Sequence, residues 1–150
     1  MDDIDRKIIA HIQAEGRASL AEVGAAAGLS VSAANERLRK LQAAGVVRGW
    51  EARIDPDAIG LGLLAFVFLL HGDHAAEAAF REGAAALPEV LECHHVTGEW
   101  SYLLKVRARD AAGLERLMGR LKALPGVGRT MTTIALSSPK ETARLPAALP

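Results

Sequence analysis

A chain of 150 residues, half of them hydrophobic and 24% charged, supplies one ordinary domain or two small ones, and none of its apolar runs is long enough to cross a bilayer. Lys and Arg balance Asp and Glu at 18 each, which excludes a protein held on nucleic acid or an anionic membrane by bulk charge. The single cysteine, Cys93, excludes an internal disulfide; with the charged start MDDIDRK, which does not read as a secretory signal, it predicts a cytoplasmic location and no membrane partner.

Asp2 or Asp3 is placed to cap a first helix running to about Glu15, with Ile4, Ile8, Ile9 and Ile12 on one face. Ser19 followed by Glu22 is a capping box, so a second helix starts at about Leu20. Gly28 suits the left-handed residue that closes it, Leu29 plugs the corner, and Ser30 caps a third helix from Val31 to about Gly45. This is a helix-turn-helix pattern. On the third helix Val31, Ala34, Leu38 and Leu41 form an apolar stripe, leaving Ser32, Ala33, Asn35, Glu36, Arg37, Arg39 and Lys40 outward.

Such a face suits the major groove of duplex DNA. Small residues let the helix approach, Ser32 and Asn35 are able to read base edges, and the basic residues reach phosphates. Ser30, Ser32, Ala33, Asn35, Glu36, Arg37, Arg39 and Lys40, with Arg48 just beyond, are the candidate DNA-binding residues. From Val31 to Arg53, five basic residues stand against Glu36 and Glu51, a local charge of +3 in a neutral chain. So small a footprint predicts that at least two copies act together.

After Gly45 the segment VVRGWEARI alternates loosely, with Val46, Trp50, Ala52 and Ile54 on one side, and predicts an extended wing or linking strand. Asp55-Pro56 breaks it, which places one domain at residues 1–54, a linker at 55–60 and a second domain at 61–150. The second domain contains a repeat: LPEV at 87 and LPGV at 124, each preceded by a strand and a helix and followed by a strand. Strands are expected at Leu63–Leu70, Val90–Thr97, Ser101–Ala108 and Val127–Leu136, and helices at Ala75–Ala86 and Ala111–Ala123. The order βαββαβ is the ferredoxin-like split arrangement, so the fold class is α+β. Its helices cover one face of the sheet only. The strand LLAFVFLL is apolar on both faces, so a second subunit is the simplest cover for the other. The proline-containing tail after Leu136 reads as extended chain with at most an edge strand.

Cys93, His94 and His95 are the one cluster that suggests metal or thiol chemistry. On a strand Cys93 and His95 point one way and His94 the other, so ordinary sheet residues are expected, with no metal. His71 and His74 read as solvated loop residues. The chain has no glycine-rich phosphate loop, no GxSxG and no HExxH, and neither a catalytic residue nor a cofactor is assigned.

A helix-turn-helix followed by βαββαβ resembles the Lrp/AsnC family of transcription regulators, also called feast/famine regulators. The resemblance spans nearly the whole chain, through IDRKII at 4–9, GRASLAEV at 16–23, GLSVSAANERLRKLQAAGVV at 28–47, PEVLECHHVTGEWSYLLKV at 88–106 and LPGVGRTMTTIAL at 124–136. It implies a sequence-specific regulator that dimerises through the second domain, frequently assembles into octamers, and binds palindromic duplex DNA through paired helix-turn-helix units. A small effector, usually an amino acid, is implied between subunits near the turn after the second strand, which here is Thr97, Gly98, Glu99, Trp100, Ser101 and Tyr102.

This chain departs from the family in two places. Ser101 stands where an aspartate is expected, which weakens the hold on an ammonium by about tenfold unless Glu99 or Trp100 compensates, while the N–H groups of Gly98 and Glu99 remain available to a carboxylate. Gly24 replaces the usual alanine, at about 1 kcal/mol in helix propensity. Two rival readings remain. The domain pair also resembles haem-precursor decarboxylases, although the arginine and tyrosine of that pattern are missing beside His94-His95. The other rival is an effector-binding assembly module that never touches DNA.

Overall fold

Side-chain capping sets the helix starts of the first unit. In the computed structural model, which describes residues 1–147, Asp2 caps α1 (Asp3–Ala14): its carboxylate accepts the Asp5 N–H, and that of Asp5 accepts the Asp2 N–H. Ser19 and Glu22 do the same for α2 (Leu20–Ala27), which ends at Gly28 in the left-handed region, φ +70°. The Ser30 hydroxyl accepts the Ala33 N–H and opens α3 (Val31–Ala43). Ile8, Ile12, Val23, Ala27, Ala34 and Leu41 close the core between the three helices, with Leu29 and Leu38 packed against them. Each large side chain so buried contributes about 1.5–3 kcal/mol. Val31, expected on the apolar stripe, is instead 52% exposed, because it occupies the first position of α3, beyond the end of this core.

Gly24 has a packing role that helix propensity does not reveal. It is buried, and a Cβ there would lie 2.8 Å from the Leu29 carbonyl oxygen, while the Leu29 N–H donates to the Gly24 carbonyl at 2.8 Å. Overpacking of this kind costs about 1–3 kcal/mol and outweighs the propensity gained. Gly24→Ala is therefore expected to destabilise the protein by about 1 kcal/mol, read as a lower thermal midpoint. A higher midpoint would mean that the corner yields freely.

The expected wing is not a strand. Residues 46–54 are irregular, with Val46, Trp50 and Ile54 about half exposed or more (48%, 49% and 61%). A strand needs a backbone ladder, and among the described residues none pairs with this segment.

The second unit has the order βαββαβ: β1 (Leu63–His71), α4 (Glu77–Ala85, entered through a 3-10 turn at His74–Ala76), β2 (Val90–His95), β3 (Tyr102–Ala108), α5 (Ala111–Lys122) and β4 (Val127–Ile134). All neighbouring strands are antiparallel, in the order β2-β3-β1-β4. Alternation decides what is covered. Ala65, Val67 and Leu69 of β1 and Leu104 and Val106 of β3 are fully buried against Phe80 of α4 and Leu117 and Leu121 of α5. Phe66, Phe68, Leu103 and Met131 sit at the alternate positions, and no element of this unit covers them.

No strand follows β4 among the described residues. Residues 140–147, read from sequence with the second domain, group with the first unit. The Gln13 side chain donates to the Leu145 carbonyl (3.0 Å) and accepts its N–H (2.7 Å), Arg144 donates to the Ala14 carbonyl, and Arg6 to that of Ala147. Backbone groups that a proline-broken tail leaves without a ladder thus find partners on α1. Residues 148–150, the end of the expected second domain, lie outside the described residues.

Candidate DNA-binding face and effector turn

Ser32, Asn35, Glu36, Arg39, Lys40 and Ala43 line one shallow strip along α3. Their spacing follows the helical repeat, so they form a single face. Lys40 and Glu36 pair at 2.7 Å, and the hydrogen bond from Lys40 holds the Glu36 carboxyl below its usual range. Both are largely exposed, so the pair opens at little cost. Arg39 makes no ion pair among the described residues and is free to reach out. Ser30 and Ala33 belong to the cap of the helix, and Arg48 is exposed in the irregular segment beyond it.

Arg37, expected on the outward face, points elsewhere. Its guanidinium meets Asp2 at 2.7 Å and Asp5 at 2.9 Å, tying α3 to the cap of α1. The Asp2 carboxyl is held below the ordinary aspartate range by the Asp5 N–H first and by Arg37 second. Arg37 therefore has a structural task, because the acidic first turn of α1 lies within reach of its long stem.

The turn between β2 and β3 closes through the Val96 N–H to the Ser101 carbonyl (3.0 Å) and the Ser101 N–H to the Leu69 carbonyl (2.9 Å). Among the described residues, the N–H groups of Gly98, Glu99 and Trp100 donate to no other group, and an anion could use them. The Ser101 hydroxyl is already engaged: it accepts the His71 N–H at 3.0 Å and faces the His71 carbonyl at 3.4 Å. It sews the turn to the end of β1 rather than standing in for the absent acid. Glu99 pairs with Arg129, whose guanidinium carbon lies 4.7 Å from the centre of the Trp100 ring. The Trp100 ring leans on Phe68, with centroids 6.1 Å apart. Thr97 and Gly98 are on the rim.

Tyr102 separates from this group. It is 2% exposed on the helix-covered face, where its hydroxyl donates to Glu77 at 2.6 Å and accepts from Arg81 at 2.8 Å. The bond from Tyr102 holds the Glu77 carboxyl low, and burial pushes the Tyr102 phenol up. The strict alternation of β3 turns Tyr102 inward.

The histidines are more engaged than expected. His71 ends β1, with its ring 5.1 Å from Phe80 and its Nε2 3.1 Å from the Pro125 carbonyl, a contact that requires the Nε2–H tautomer. His95 stacks on Tyr102 at 4.9 Å, so the fold brings a tyrosine beside the histidines, and Arg81 onto it, although neither neighbours them in sequence. Cys93 and His95 share the face of Leu104 and Tyr102, and His94 takes the other. Among the described residues no group of three or more His, Cys, Asp or Glu is placed to hold a metal ion, and burial pushes the Cys93 thiol up, away from the reactive thiolate.

A helix-turn-helix unit with a strip of polar and basic side chains along α3 has the architecture of a DNA-binding module, and here it is joined to a separate α+β unit. Two protein families match the chain: winged helix-turn-helix DNA-binding over residues 1–48, and the Lrp/AsnC ligand binding domain over residues 64–145. The transcriptional regulator LrpA of Mycobacterium tuberculosis is 42% identical, over 92% of this chain and 91% of that protein. A Neisseria meningitidis transcriptional regulator solved with L-Met superposes with a TM-score of 0.92 at 32% identity, covering 97% and 96% of the two chains. A feast or famine regulatory protein of M. tuberculosis complexed with L-methionine gives 0.89 at 40%, covering 96% and 97%. The chain belongs to the Lrp/AsnC family of transcriptional regulators and is not an enzyme. The decarboxylase reading is thereby set aside. No helix among the described residues is long and apolar enough to cross a membrane.

Proposed function

We propose that this regulator acts in the cytoplasm, binds a palindromic operator through the α3 strip of two subunits, and responds to an amino acid held at the turn of residues 97–101. The observation that carries the DNA reading is that Ser32, Asn35, Arg39 and Lys40 share one open face with no side chain of the first unit's core among them. The three free N–H groups beside Trp100 support the effector reading, since they offer a carboxylate several donors next to an apolar ring. Dimerisation uses the apolar sheet face of Phe66, Phe68, Leu103 and Met131, with the octamer as a further step.

The test joins calorimetry with L-methionine to fluorescence anisotropy on the DNA upstream of the protein's own gene. Trp100→Ala is expected to weaken amino-acid binding by about tenfold, through the lost ring contact, and to blunt any effect of L-methionine on operator binding. Absence of heat with all the standard amino acids would remove this ligand class. A protein that ignores sequence in every duplex would support the DNA-free module.

A further inference from the structure

Residues 140–147 return from the second unit to lie on α1, and we propose that they form a detachable strap that completes the DNA-binding unit. Docked, the strap holds the C-terminal end of α1 and keeps α3 preorganised for DNA. Released, it lowers the affinity of that unit for a duplex.

The C-terminal end of α1 is poorly matched to its own dipole. The last carbonyls of a helix lack partners within it and carry a partial negative charge, which favours a cation beside them. In the last turn of α1 the basic residue is His11, and the acidic Glu15 follows as the cap. Arg144 supplies a permanent cation from the strap, its guanidinium donating to the Ala14 carbonyl at 3.1 Å. The Gln13 side chain takes both backbone groups of Leu145, and Arg6 takes the Ala147 carbonyl at 3.2 Å, so the strap runs antiparallel to the helix. This grip is polar. Residues 140–146 are exposed, Leu145 to 73%, so release uncovers little apolar surface and gives up hydrogen bonds that water replaces.

Through α1 the strap bears on the DNA helix. Ile8 and Ile12 share one core with Ala34 and Leu41 of α3, and Asp2 and Asp5 hold Arg37. A looser α1 leaves α3 less ordered, and DNA binding must then supply that order. The strap follows β4 after residues 135–139, so it lies on one of the two covalent connections between the units and is the one that ends on α1.

Hydrogen exchange and fluorescence anisotropy on the full chain test this with Gln13→Ala, Arg144→Gln and Arg144→Lys, none of them on the α3 strip. Exchange in residues 141–147 and in the last turn of α1 is expected to quicken about two- to tenfold in Gln13→Ala and Arg144→Gln, the factor for one ordinary hydrogen bond lost. Affinity for the DNA upstream of the protein's own gene, read at low salt so that binding counts whether or not it is sequence-selective, is expected to fall in both variants while circular dichroism shows them folded. Arg144→Lys keeps the cation and should stay near native in both readouts. Gln13→Ala removes no charge, so its salt slope should remain native. A fall confined to Arg144→Gln, with a lower salt slope, would make Arg144 a phosphate contact and overturn the proposal. Faster exchange with native or higher affinity would overturn the strap's bearing on DNA, and native exchange in both variants would overturn the strap.

Discussion

Phe66→Glu is expected to turn the protein into a monomer and to remove operator binding with it. Phe66 lies on the uncovered sheet face, opposite Lys105 on β3 and Thr133 on β4, while the neighbours that build the unit's own core, Ala65 and Val67, point the other way. The substitution therefore leaves the unit's own core in place and acts on the proposed dimer interface. Two-fold symmetry brings the change in twice: each copy loses an aromatic side chain worth about 1.5–3 kcal/mol of burial and adds a charge that must be desolvated. A loss of several kcal/mol in dimer stability follows, on the order of a thousandfold or more in dissociation constant. Operator affinity falls too, because one helix-turn-helix unit neutralises few phosphates. Light scattering and anisotropy at the same micromolar concentration check the two effects together. A folded Phe66→Glu dimer would move the interface elsewhere.

On α3, Arg39→Ala and Arg37→Ala are expected to differ in kind. Arg39 lies on the open strip with no ion pair among the described residues, so its loss should weaken binding to every duplex and lower the slope of log affinity against log salt by about 1 per contact. Asn35→Ala should instead cost about 1–3 kcal/mol of discrimination at the base it reads while leaving that slope alone. Arg37→Ala should spare the salt slope and lower stability, because it releases Asp2 and Asp5. The clasp also has a pH signature. The folded Asp2 carboxyl titrates below its ordinary value of 3.8, so its contribution is fully present above that value and is lost as the pH falls through the lowered one. Urea midpoints between about pH 5 and 2 should therefore fall less steeply in Arg37→Ala than in the native protein. The Asp5 N–H still holds Asp2 down in the variant, so part of the slope survives. An Arg37→Ala protein with native stability and a reduced salt slope would return Arg37 to the DNA face.

The features legible along the chain are those made between near neighbours. The Ser19–Glu22 and Asp2–Asp5 caps join residues three apart, the Gly28 corner depends on one backbone angle, and the βαββαβ order follows from strand alternation and the repeated LPEV and LPGV. The single outward face of α3 was legible for the same reason, whereas residues 97–102 were singled out only by the family resemblance. Tertiary structure decided where the long and polar side chains end. Arg37 joins residues 35 apart in the chain, Ser101 reaches a strand end 30 residues earlier, and Gln13 grips the backbone of Leu145 across 132 residues. Helical periodicity specifies the direction in which a side chain leaves the backbone. It carries no information about what packing has brought within reach of that side chain's tip, and this is why Arg37 left the groove face, Tyr102 left the turn, and Arg129 entered it.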